Sequence, residues 1–91
     1  MDERKIFIVE HRMEGLVDEV VTYESVIAFV GSTYEKAVDF IQKNGEEWLE
    51  NRPDRREWWA IYTEIIDSDN LLNDVGLHFF DSNGIELSCQ P

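Results

Sequence analysis

After a charged opening tetrapeptide the chain turns apolar: residues 5–10, KIFIVE, form a β-branched and aromatic run too short for a stable helix. The pattern predicts a strand. Residues 11–18 mix polarities around Gly15 and predict a connection, after which VVTYESVIAFVG, ending at Gly31, predicts a second strand. Two successive strands predict a hairpin, whose long tip would hold Glu14, Asp18 and Glu19 in solvent.

Past Gly31 the period changes from two to that of a helix. Ser32 and Glu35 have capping-box spacing, in which the serine oxygen accepts from the Glu35 amide and the glutamate reaches back. Tyr34, Ala37, Val38 and Ile41 then recur on one face, with Glu35, Lys36, Asp39, Gln42 and Lys43 turned mostly to water. Asn44-Gly45 could close the helix in a left-handed cap, or the helix could kink there and run to Trp48 and Leu49 before Pro53. A kink is the expectation. EWWAIYTEII, residues 57–66, predicts a third strand buried on one side and partly covered on the other. A polar loop at 67–74 follows, tucked onto the core by Leu71-Leu72. Residues 76–80 and 85–88 flank DSNG, whose Asn-Gly predicts a tight hairpin turn.

Together these elements predict an α+β fold: a four- to five-stranded, mostly antiparallel sheet with one main helix packed on one face, in the order ββαβββ. One domain is expected over 1–91. Its expected core is Ile6, Ile8, Val26, Ala28, Val38, Ile41, Ile61, Ile65 and Phe79. Three segments, FIVEH at 7–11, VIAFVGSTYEKAVDFI at 26–41 and WWAIYTEIID at 58–67, resemble a family of small uncharacterised bacterial and phage proteins. Those proteins pair a strand ending in Val-Glu-His with a second strand, a Ser/Thr-capped helix carrying Glu-Lys-Ala, and a returning strand. The resemblance implies the fold and carries no catalytic residue.

Composition narrows the function. Twenty acidic against eight basic residues give a formal charge of -12, which argues against direct nucleic-acid binding. With 43% hydrophobic and 12% aromatic residues the chain should nevertheless fold. Cys89 is the one cysteine, so no internal disulfide forms, and no signal-type or membrane-spanning apolar stretch is present. A soluble cytoplasmic protein is expected, without membrane contact.

Residues 67–91 contain Asp67, Asp69, Asp74, Asp81 and Glu86 and neither lysine nor arginine, which predicts an anionic surface. Adjacent Trp58 and Trp59 must point to opposite faces of a strand. One would fill the core, leaving the other to a neighbouring aromatic or to a partner. Arg52, Arg55 and Arg56 are expected to pair with Glu46, Glu47, Glu50 or Glu57. Asp67-Ser68-Asp69 suggests calcium, but the EF-hand register would need a polar ligand at Leu71, glycine at Leu72 and glutamate at His78. His11 and His78 could meet across the sheet with Glu10 or Asp81, although their spacing is not that of a metal motif. Cys89 has neither a basic neighbour nor a helix start to activate it. No catalytic, cofactor or metal-binding residue is therefore assigned.

The resulting expectation is a non-enzymatic acidic protein-binding module that occupies a basic surface of a protein partner. An inhibitor in phage and host conflict, acting as a nucleic-acid mimic on a defence protein, or a toxin-neutralising protein would have this character. Asp67, Asp69, Asp74, Asp81 and Glu86 would supply the charge, and Trp58 or Trp59 an apolar anchor. The alternative is a homo-oligomeric structural or accessory protein, a homodimer for instance. Its exposed strand or spare tryptophan face would be covered by another copy, and its acidity would serve only solubility.

Overall fold

The computed structural model describes residues 4–51, 55–66 and 76–89. The described elements are β1 (Arg4–Val17), β2 (Val20–Gly31), α1 (Tyr34–Asn44), β3 (Arg55–Ile66), β4 (Leu77–Phe80) and β5 (Glu86–Leu87). All strand pairs are antiparallel, in the spatial order β2-β1-β3-β4-β5. The class is α+β.

The connection expected at 11–18 is instead strand. β1 continues for 14 residues because His11, Met13 and Gly15 keep the alternation that begins at Phe7, each paired with β3 on one side and β2 on the other. The hairpin tip is short: Val17 pairs with Val20, leaving only Asp18 and Glu19, both at positive φ (51° and 65°). Two left-handed residues in succession make the tight turn whose twist matches the strands. At about 3.3 Å per residue this arm accounts for most of the 50 Å long dimension. Opposite Val9 and Glu10 the β1–β2 register shifts, so that Ala28 has no direct partner and bulges.

Thr33 rather than Ser32 caps α1, its side chain accepting from the Lys36 amide at 3.2 Å. The Ser32 hydroxyl instead meets Lys36 Nζ at 3.4 Å. The helix ends at Asn44, and Gly45 stays right-handed (φ -58°, ψ -39°) while its amide reaches Ile41 O at 2.7 Å. Neither the left-handed cap nor the longer kinked helix forms. Glycine is needed at 45 for proximity: a Cβ there would strike the Ser82 carbonyl oxygen and lie 2.6 Å from Ile41 O. Both obstacles are backbone. Gly45→Ala is expected to destabilise the fold by about 1–3 kcal/mol, read as a lower urea midpoint.

The terminal hairpin turns through Asp81 to Ile85, with only Gly84 left-handed (φ 78°). The Asp81 carboxylate, not an Asn-Gly pair, organises it, accepting from the amides of Asn83 (2.9 Å) and Ile85 (3.0 Å). Leu71-Leu72 and the loop around them lie outside the described residues.

The core forms between α1 and one face of the sheet: Val9, Ala37, Ile41, Trp59, Ile61 and Phe80 are buried together, with Phe7, Ala28, Phe29, Tyr34, Val38 and Phe40 packed around them. Ile41 and Ile61 are core as expected, and Ala28 and Val38 border it. Ile6 and Ile8 sit on the opposite face, because β1 places Phe7 and Val9 toward the helix. Phe79 likewise alternates away from buried Phe80. Val26 is 46% exposed on the outer strand. The side chain of Ile65 is not among those described.

Candidate functional site

The acidic residues expected to form one surface have different roles. Asp67, Asp69 and Asp74 lie outside the described residues. Asp81 uses Oδ1 to hold its own turn, and Glu86 Oε1 lies 2.7 Å from His78 Nδ1. Neither tryptophan is offered as an anchor, since Trp58 is 2% and Trp59 0% exposed. They do occupy opposite faces: Trp59 joins the core under α1, while Trp58 is opposite Arg12 on the other side of the sheet.

A buried cluster that sequence reasoning missed lies where β1, β3 and the segment after α1 meet. His11 is 2% exposed, stacked on Trp59 (4.9 Å between ring centroids, 30° between planes) with Trp48 edge-on at 6.0 Å. Its Nε2 lies 3.1 Å from Glu57 Oε1, an electrostatic contact without the direction of a good hydrogen bond. Glu57 also accepts from the backbone amides of Glu50 (3.0 Å) and Asn51 (3.1 Å), and Asn51 takes the left-handed conformation (φ 52°) that asparagine tolerates. This single carboxylate thus straps residues 48–51 over the sheet. Burial lowers the His11 pKa below its ordinary 6.5, and the charges of Glu57 and Glu50 oppose that shift only in part. His11 is accordingly neutral at neutral pH.

His11 and His78 do not meet. His78 sits opposite Ile61 on β3, with Tyr34 edge-on at 5.5 Å and Glu86 as its carboxylate. Among the described residues no group of three or more His, Cys, Asp or Glu could hold a metal ion. Among the described residues no helix is long and apolar enough to cross a membrane.

Many of the described cations are held by the protein's own acids. Arg12 pairs with Glu10 (3.5 Å) and covers the Phe79 ring, Lys43 pairs with Asp39 (2.9 Å), Arg55 with Glu50 (3.0 Å), and Arg56 with Glu14. Asp18, Glu19, Glu35, Glu46, Glu47 and Glu64 remain as exposed carboxylates. On the face away from α1, two open hollows of about 230 and 200 Å³ share Glu10 and Arg12 in their walls. Both are smaller than a usual small-molecule pocket. Burial and then Glu10 push the Tyr62 phenol upward in pKa, so at this face it is a neutral donor.

The outermost strand completes the picture. β2 is exposed over most of its length, its side chains alternating to both faces and, from Ile27 toward the tip, uncovered among the described residues. The described residues form a small α+β domain, strongly acidic overall, in which β2 is the outermost described strand. Comparison with protein-family models, curated proteins and solved structures returns no match to this chain.

Proposed function

We propose that this protein is a non-enzymatic acidic binding module that occupies a basic surface on a protein partner. The supporting observation is the distribution of charge: Arg12, Lys43, Arg55 and Arg56 are engaged by acids of the same chain, while the surplus carboxylates stand exposed. A partner therefore meets a surface on which negative charge predominates. Its complement is a lysine- and arginine-lined groove of the kind that otherwise holds nucleic-acid phosphates, in a defence enzyme or a toxin. Binding would be fast and weakened by salt. The reading rests on the acids, because Trp58 and Trp59 are built into the fold.

The test begins with immobilised protein and a lysate of the native host, eluted with a salt gradient. A stoichiometric basic protein released by moderate salt, and displaced from DNA by the free module, is the expected result. Replacing Asp67, Asp69 and Asp74 together by lysine should weaken that binding about 10- to 100-fold and flatten its salt dependence. Unchanged affinity, or retention of nothing under low salt, defeats the proposal.

A further inference from the structure

The sheet ends differently on its two sides. β5 is only two residues long and carries Glu86, a short charged edge of the sort that resists pairing with another chain. β2 has 12 residues, no lysine, no proline and one charge, Glu24. Val20 (61%), Tyr23 (68%), Ile27 (59%) and Val30 (51%) are the most exposed of its apolar side chains, joined by Val21 and Val26. Together they show on the order of 500 Å² of apolar surface, divided between the two faces of the sheet along this strand.

We infer that β2 is a homodimer interface, in which the β2 strands of two copies pair antiparallel about a two-fold axis to make one continuous ten-stranded sheet. Local charge at the two ends of β2, against the net charge of the chain, favours a second copy and one register. Centring the axis at Ser25 sets Glu24 opposite the partner's Val26 instead of another Glu24, and Tyr23 opposite the partner's Ile27. The same register carries the acidic tip, Asp18 and Glu19, to the Gly31–Ser32 end of the other copy. There Lys36 stands beside Gly31, and among the described residues its ammonium meets only the Ser32 hydroxyl. Antiparallel self-pairing forms this contact twice. Bringing two chains of charge -12 together is opposed at low ionic strength, so salt strengthens the dimer. That is the reverse of the salt effect on a basic partner, and the inference does not depend on the proposed function.

The experiment is sedimentation velocity of the full chain from about 1 to 200 μM at about 0.05 and 0.5 M salt. A dimer that tightens several-fold at higher salt is expected, and Val26→Lys with Ile27→Lys should make it monomeric with an unchanged circular dichroism spectrum. Because such variants could disturb folding, Ser25→Cys is made separately with Cys89→Ser. On mild oxidation it should link two copies, whereas Val21→Cys, roughly 26 Å from its mate in this register, should not. A wild-type chain that stays monomeric throughout overturns the inference, including the case in which β2 takes up a foreign strand. So does a dimer that survives the lysines, or one in which Ser25→Cys fails to link.

Discussion

Trp59→Ala is expected to cost about 3–5 kcal/mol, enough to unfold much of the population of a domain this small. Trp59 is fully buried and belongs to the core with Val9, Ile41, Ile61 and Phe80. It also touches three further rings: His11 at 4.9 Å, Trp48 at 5.8 Å and Phe40 at 6.1 Å. Removing the indole opens a cavity bordered by both the helix and the strap after it, and neither can close it without leaving the other. Urea denaturation followed by circular dichroism reads the effect. Trp58→Ala is the comparison: Trp58 is equally hidden but borders an open hollow with Arg12 and Tyr23, so a smaller loss of about 2 kcal/mol is expected. Equal losses for the two variants would contradict the assignment of Trp59 to the central core.

The second large effect is expected at Glu57. Glu57→Ala removes the acceptor for two backbone amides and the charge beside His11, with an expected cost of about 2–4 kcal/mol. Trp48, held over His11 and Trp59 by this strap, should become more exposed, seen as red-shifted fluorescence. An unchanged spectrum and midpoint would show that Glu57 does not hold the strap.

The same site sets a pH dependence. His11 has a folded pKa below 6.5, so below about pH 6.5 the unfolded chain takes up a proton that the fold refuses. Stability is therefore fully present above that pH and falls as pH drops toward the folded pKa, by up to about 1.4 kcal/mol per pH unit. Glu57→Gln, which removes the charge that favours protonated His11, should steepen this loss, and His11→Phe should flatten it. The measurement is the urea midpoint of the three proteins between about pH 5 and 7.

Much of the fold was legible in the sequence. The second strand, the helical face of Ala37, Val38 and Ile41, the returning strand and the terminal hairpin all carry strong local patterns. The face of β1 was not legible, because Ile6, Phe7, Ile8 and Val9 are apolar at every position and alternation cannot say which pair turns inward. Continuation of β1 through His11 and Gly15 was hidden for a related reason. A strand paired on both sides tolerates polar residues that a propensity reading assigns to a loop. Glu57 looked like any surface acid, since its role comes from amides of the segment before it and an imidazole on another strand.

The sequence by itself determined the class and the character of this protein: an α+β domain of one helix and several strands, strongly acidic. Only the tertiary structure decided which side of each strand is core, that Trp58 and Trp59 are hidden, that Asp81 and Glu86 have internal partners, and that β2 is outermost among the described strands. The physical reason is that period and propensity act over a few neighbouring residues, whereas burial, ion pairing and edge exposure depend on which distant segment lies alongside. Here the deciding contacts, Val9 with Ile61 and His11 with Glu57, join residues about fifty positions apart.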